Sequence, residues 1–239
     1  MEQVNLTLPK RSALKHLPKA LVFLHEDEDI IVVDKPPGLL TIATDRGASP
    51  TVYRYLTDYV RKGNSKSRKR IFIVHRLDRD ASGILVFAKN EAAKFKLQNQ
   101  WQDTTKKYLA VVHGRFEKRS GTIRSYLTEN RAFFVHSTPN AAKGKLALTG
   151  YTVLKETAHR SLLEIDLFTG RKHQIRVHLA ESGHPIVGDR KYGKEGKGKA
   201  RLALHAFSIT LSHPKTGKTL TFETKMPGFF EKLISTSAR

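Results

Sequence analysis

Val74-His75-Arg76-Leu77-Asp78-Arg79-Asp80-Ala81-Ser82-Gly83-Ile84-Leu85-Val86 is the stretch on which the reading of this chain turns. An apolar run, Ile71 to Val74, leads in, and a second, Ile84 to Ala88, leads out. Two strand-forming runs of this kind hold the loop between them rigid and half buried. That loop carries a histidine, two arginines and two aspartates. A carboxylate placed there is open to two readings, a structural ion pair with its neighbours or a group that does chemistry, because both uses perturb it alike.

Composition narrows the choice of partner. The 239 residues fit one large domain or two small ones, and 39% apolar residues suffice for a core. Lys and Arg number 43 against 22 acidic residues, a formal charge of +21 that opposes compaction and that an anionic partner would offset. Nucleic acid is the first candidate and an anionic membrane surface the second. No apolar run approaches the roughly 18 residues of a spanning helix. Met1 to Leu17 is basic but lacks an apolar segment, so it does not read as a secretory signal. The absence of cysteine excludes disulfides and thiolate-ligated zinc. His113, His173, His178, His184 and His205 show no paired metal-ligand spacing supported by carboxylates. The expectation is a cytoplasmic protein with no metal and no cofactor, monomeric by default.

Residues 1–19 read as a polar, basic arm. Ile30 to Val33 reads as a strand ended by Lys35-Pro36-Pro37-Gly38, a turn stiffened by its prolines. Ser49-Pro50 reads as a helix start, and Val52, Tyr55, Leu56, Tyr59 and Val60 repeat at helical spacing over 50–61. The tyrosines are assigned to the core. Lys62 to Arg70 (KGNSKSRKR) is a basic connector, either a solvated loop or a contact for an RNA backbone through Lys62, Arg68, Lys69 and Arg70. Asn90 is placed as the cap of a helix over 91–102, with Ala93, Leu97 and Trp101 on one stripe. Strands are expected at about 107–113, 121–127, 131–136, 150–155 and 161–168. His173 to Ser182 reads as a helix closed by Gly183. Gly193 to Lys199 reads as a flexible loop without the spacing of a phosphate-binding P-loop. Phe207 to Leu211 and Leu220 to Phe222 form a hairpin, and Pro227 to Ser235 a last short helix. Many strands with few helices between them argue for α+β with a largely antiparallel sheet.

The loop motif also resembles a known signature. His75-Arg76-Leu77-Asp78, followed by Ser82-Gly83 and an aliphatic run, is similar to that of the RluA-type pseudouridine synthases, which isomerise uridine in ribosomal or transfer RNA. Asp29 to Gly38 resembles the family's opening strand and turn. Lys106 to Gly114 resembles its tyrosine strand, and Thr169 to Leu179 with Gly183 to Asp189 its arginine motif. Ala203 to Pro214 resembles its closing strand. The matches run in family order over about 20–227. The resemblance implies a bent, mixed sheet flanked by helices with a central RNA-binding cleft, in a catalytic domain over 20–239. Only about 20 residues precede the first family strand, so it also implies a stand-alone domain without the N-terminal S4 module of many relatives.

What the resemblance implies for single residues is specific. Asp78 matches the catalytic aspartate, a role a carboxylate can fill as nucleophile or as charge stabiliser near the anomeric carbon. Arg176 matches the arginine that pairs with it, and Arg171 is a weaker rival, assigned to phosphate. Tyr108 matches the tyrosine that stacks on the target base. Arg76 matches the residue that fills the space of the extruded nucleotide. His75 is expected to orient the loop or touch phosphate, and Ser82 and Gly83 to shape the turn. Ala81 stands where the family mostly has threonine, a lost hydroxyl worth roughly 0.5–1.5 kcal/mol.

Two other functions remain for comparison. An RNA-binding or ribosome-assembly factor without catalysis would not require Asp78, Tyr108 and Arg176 together. A conventional glycosidase uses two carboxylates, and Asp80, two residues from Asp78, would face away on an extended segment.

Overall fold

In a computed structural model, residues 17–43, 50–64, 66–193 and 200–235 are described. Residues 1–16 of the arm expected over 1–19, the serine expected to cap the first helix and residues 194–199 of the 193–199 loop lie outside them. The chain forms two compact units, Met1–Thr104 with Ser208–Thr224, and Thr105–Phe207 with Lys225–Arg239. The architecture is α+β, and the strand ladders described within each unit are antiparallel.

In the first unit β1 (Val22–Glu26) pairs with β2 (Ile30–Lys35), and β2 pairs with β4 (Ser82–Ala88). A short β3 (Phe72–Ile73) also pairs with β4, placing Phe72 opposite Ala88 and Ile73 opposite Phe87. The loop quoted at the outset is therefore the closed end of a hairpin. Every residue of β4 is buried, as its apolar sequence requires. α1 (Val52–Arg61) begins two residues later than expected. Its cap is Thr51, whose hydroxyl accepts the Arg54 amide at 3.1 Å. α2 (Glu91–Asn99) is capped by Asn90 through the Ala93 amide at 2.8 Å. It ends before Trp101, which still packs on the core. The hairpin completed by Leu211 and Phe222 covers that core: Ile30, Val32, Ile84, Val86, Leu97, Ile209, Leu211, Leu220 and Phe222 form one cluster.

The second unit is built on β5 (Thr105–His113), β6 (Ser120–Glu129), β7 (Val135–Thr138), β8 (Lys145–Glu156) and β9 (Arg160–Leu167). β5 pairs with β9, β9 with β8, β8 with β6, and β6 with β7. The strand expected at 131–136 starts only at Val135. Asn130 bends the chain instead, its side-chain oxygen accepting the amides of Ala132 and Phe134, each at 3.0 Å. α3 (Gln174–Glu181) buries Ile175, Val177 and Leu179. β10 (Leu204–Ser212) passes from this unit into the first, where it pairs with β11 (Thr219–Glu223). α4 (Gly228–Ile234) buries Phe230 and Ile234.

Candidate active site

The loop bearing Asp78 is fixed from below by the turn after β2. Thr41 uses one hydroxyl twice, donating to the Leu77 carbonyl at 3.0 Å and accepting the Leu77 amide at 3.2 Å. On the other side of Asp78, the Arg79 carbonyl accepts the Gly38 amide at 2.8 Å and the Lys35 ammonium at 3.0 Å. Asp78 is thus held between two anchored neighbours, and its side chain is half-buried while Arg76, Arg79 and Asp80 are exposed. Gly83 adopts φ +112, so a residue with a side chain would strain the exit from the loop.

Lys35 was not singled out in the sequence. It is 0% exposed and spends its protons on the carbonyls of Pro36, Leu39 and Arg79, at 2.9, 2.9 and 3.0 Å. Burial pushes its ammonium down to about 8, against the opposing pull of Asp80, Asp78 and Asp34. The lysine is a buried cation beneath the loop, and it ties the Lys-Pro-Pro-Gly turn to the Asp78 segment.

His75 is an orienting residue. Its Nε2 accepts the Val86 amide at 3.0 Å and its ring stacks on Trp101 at 4.5 Å. Lys62 closes α1 in a left-handed conformation, φ 52. Arg68, Lys69 and Arg70 are exposed. The Lys69 carbonyl accepts Arg61 Nε at 3.1 Å, and Arg70 lies 3.4 Å from Glu91, an exposed ion pair of small value.

In the second unit Tyr108 sits on β5 opposite Ile165 and is 9% exposed. Arg176 lies in the first turns of α3, and Asp189 receives it in a fork: Nε to Oδ2 and Nη2 to Oδ1, both 2.8 Å. Burial alone would raise the Asp189 carboxyl; Arg176 and the amides of Tyr192 and Lys191 outweigh it and hold it below the usual carboxylate range. Gly188, at φ +76, makes this geometry possible, because a Cβ there would lie 2.2 Å from the Arg201 carbonyl oxygen. Asp189 stood at the end of a quoted motif without a role; nothing in the sequence tied it to a residue thirteen positions earlier. The entry to α3 is equally constrained. Gln174 accepts the Thr169 hydroxyl and the Arg171 amide, and donates to the Leu148 carbonyl and Thr149 hydroxyl. Arg171 itself is exposed, and its Nε donates to the Leu146 carbonyl at 3.0 Å.

Among the described residues one group offers metal-ligand atoms. Asp27, Asp29 and His213 each present one within 4.8 Å of the others. Those atoms already serve a hydrogen-bonded clasp: Asp27 meets His25 Nε2 at 2.8 Å and His213 Nε2 at 3.1 Å, and accepts two backbone amides. The clasp joins the β1–β2 turn to the β10–β11 turn. Among the described residues no helix is long and apolar enough to cross a membrane.

Comparison with known proteins agrees with the motifs. Residues 29–181 match the family model described as RNA pseudouridylate synthase. The uncharacterized RNA pseudouridine synthase YlyB of Bacillus subtilis is 36% identical over 239 residues, covering 98% of this chain and 78% of that protein. Ribosomal large subunit pseudouridine synthase D of Nitrosomonas europaea is 37% identical over 227 residues, covering 90% of this chain and 64% of that protein. Among solved structures, human RNA pseudouridylate synthase domain containing 1 superposes with a TM-score of 0.68 at 26% identity, over 91% of this chain and 86% of that one. Human RNA pseudouridylate synthase domain containing 4 shares the fold, with a TM-score of 0.74 at 23% identity over 88% of this chain and 90% of that one.

Proposed function

This chain belongs to the RNA pseudouridylate synthase family, of the RluA type, and is therefore an isomerase of uridine in RNA; from that premise we propose that Asp78 is its catalytic carboxylate, with Arg176 as ion partner and Tyr108 as the wall for the base. The observation that supports this most is the double anchoring of the Asp78 segment through Thr41 and Lys35. A loop held at both neighbours of one half-buried carboxylate is a preorganised charge, the form in which electrostatic stabilisation is most effective.

The reaction breaks the N1–C1′ bond of uridine and forms C5–C1′. The C5 proton leaves to a base, N1 gains a proton, and no electrons are exchanged. The Asp78 carboxylate acts at the stage where the glycosidic bond is open, as nucleophile or as counter-charge. In this assignment Arg176 supplies the guanidinium charge that complements the carboxylate, and Asp189 holds Arg176 in one rotamer through its fork. The Tyr108 ring holds the freed uracil flat while it turns. Arg76 occupies the place of the extruded nucleotide, and its guanidinium plane suits stacking on bases. Arg171, Lys62, Arg68, Lys69 and Arg70 serve the phosphate backbone, while His75 orients the loop through Val86 and Trp101.

The RNA is ribosomal or transfer RNA. A relative whose name specifies the large ribosomal subunit favours the first. We further read residues 20–239 as the catalytic domain and 1–19 as an arm that adds RNA affinity, in a monomeric, cytoplasmic enzyme needing neither metal nor cofactor. The test is Asp78→Asn, assayed with uridine-containing transcripts and a pseudouridine-specific chemical label. Conversion should fall about 10²- to 10³-fold or more completely, the scale of losing a preorganised electrostatic group, while RNA binding persists. Conversion at the wild-type rate would remove Asp78 from the mechanism.

A further inference from the structure

The connection between β6 and β7 presents two phenylalanines to solvent: Phe133 is 61% exposed and Phe134 37%. Phe133 holds φ +58, a left-handed conformation that bulky residues seldom adopt. The turn enforces it. Phe133 N–H donates to the Asn130 carbonyl at 2.9 Å, Asn130 N–H donates to the Phe134 carbonyl at 3.0 Å, and the Asn130 side chain accepts two further amides. With the residue 61% exposed, that strain does not serve to bury the ring. Such strain persists where the surroundings over-determine it, and it concentrates at binding sites.

The surroundings are cationic and aromatic in alternation. Lys172 Nζ lies 5.5 Å from the Phe133 ring centre, and Lys191 Nζ lies 5.7 Å from Phe134 and 5.8 Å from Tyr192. The rings of Phe134 and Tyr192 are 4.7 Å apart, and Tyr192 sits 5.2 Å from the Arg176 guanidinium carbon. One surface of one unit therefore runs from the hairpin tip to the arginine assigned to the active site. Exposed rings interleaved with lysines match the chemistry of single-stranded RNA, in which bases stack on aromatic faces and phosphates meet cations. A protein partner would have to cover Lys172 and Lys191 in a chain already at +21.

We propose that Phe133, supported by Phe134, is a stacking platform for an unpaired base of the RNA substrate, near the uridine that is isomerised. The placement beside that uridine rests on the assignment of Arg176 above; the platform itself does not. The platform fixes the register of a single-stranded or splayed segment, so it acts on binding and not on the chemical step. Lys172, which pairs with Glu129, and Lys191, which donates to the Phe133 carbonyl, keep positive charge beside the two rings, where flanking phosphates would pass.

The test uses a fluorescent 12-nucleotide oligouridylate and a 12-base-pair RNA duplex as probes. Phe133→Ala is expected to bind the oligouridylate about 5- to 100-fold more weakly, the range of one lost base stack. Duplex affinity should stay within twofold, and the salt dependence of oligouridylate binding should keep its slope, because no phosphate contact has been removed. Phe133→Trp should bind as tightly as wild type or tighter. Phe133 is exposed, so both variants should melt with the wild type. Oligouridylate binding unchanged in Phe133→Ala, or weakened equally for both probes with a shallower salt slope, would overturn the proposal. The catalytic assignment is tested separately. If Asp78→Asn stays active while Phe133→Ala loses oligouridylate affinity, the assignment of Asp78 fails and the platform stands.

Discussion

Replacing Lys35 by methionine separates the two effects that meet at this residue. The ammonium is fully buried and its folded-state value falls from 10.5 to about 8, with burial as the main cause. At about 1.4 kcal/mol per tenfold, the charged form costs the folded protein roughly 3 kcal/mol below pH 8. Lys35→Met removes that cost but strips the Pro36 and Leu39 carbonyls of a donor; the Arg79 carbonyl keeps the Gly38 amide. Two orphaned carbonyls at about 1–3 kcal/mol each amount to about 2–6 kcal/mol. At pH 7 the two effects partly offset, and the variant should range from about 1 kcal/mol more stable to about 3 kcal/mol less stable. The pH dependence discriminates. Between pH 8 and 10.5 the unfolded lysine holds its proton and the folded one has lost it, so stability rises with pH in wild type and not in the variant. From pH 7 to pH 10 the wild type should gain about 2.5 kcal/mol on Lys35→Met. Urea titrations followed by fluorescence report this unit directly, since the single tryptophan, Trp101, lies within it, stacked on His75. A stability difference that stays flat from pH 7 to pH 10, or one that moves toward the variant, would refute a buried charged lysine beneath the Asp78 loop.

Two further outcomes concern the second unit. Asp189→Asn leaves Arg176 buried with half its fork unmatched and should lower stability by about 3–5 kcal/mol in urea; a loss under 1 kcal/mol would mean that the ion pair does not hold the arginine. Burial lowers His205 to about 4 from the ordinary 6.5. Below pH 6.5 the unfolded chain takes up a proton that the folded one refuses, so stability should drop by about 2 kcal/mol from pH 7 to pH 5, with His205→Asn removing most of that slope. An identical slope in the variant would acquit the histidine.

Much of this was legible in the sequence where local chemistry decides the outcome. The β3–β4 hairpin followed from its two apolar runs, and α2 from Asn90 and the Ala93, Leu97 stripe. The reading slipped where two local signals compete. Ser49-Pro50-Thr51 contains two capping hydroxyls, and the chain uses the second. Ala132 to Val135 is apolar enough for a strand, yet the Asn130 amide closes a turn inside it. β1 was missed because five residues of mixed polarity carry little periodicity; their pairing with β2 supplies the order. Lys35 and Asp189 were illegible for another reason. Burying either charge is tolerable only with partners distant in sequence, Arg79 for the lysine and Arg176 for the aspartate, and single-sequence patterns do not encode such pairings. Of the site, the motif residues were in view; the buried ions that hold two of them in place were not.

The threading of β10 between the units has a consequence for synthesis. Ile209, Leu211, Leu220 and Phe222 complete the apolar cluster begun by Ile30, Val32, Ile84 and Val86. The ribosome must therefore make everything from Thr105 to Phe207 while the early hairpin waits with its greasy face uncovered. At about 5–20 residues per second that interval lasts roughly 5 to 20 s. Apolar surface exposed for that long is the kind that aggregates or recruits chaperones, and because each unit is assembled from two separate stretches, no uninterrupted fragment contains the whole of either.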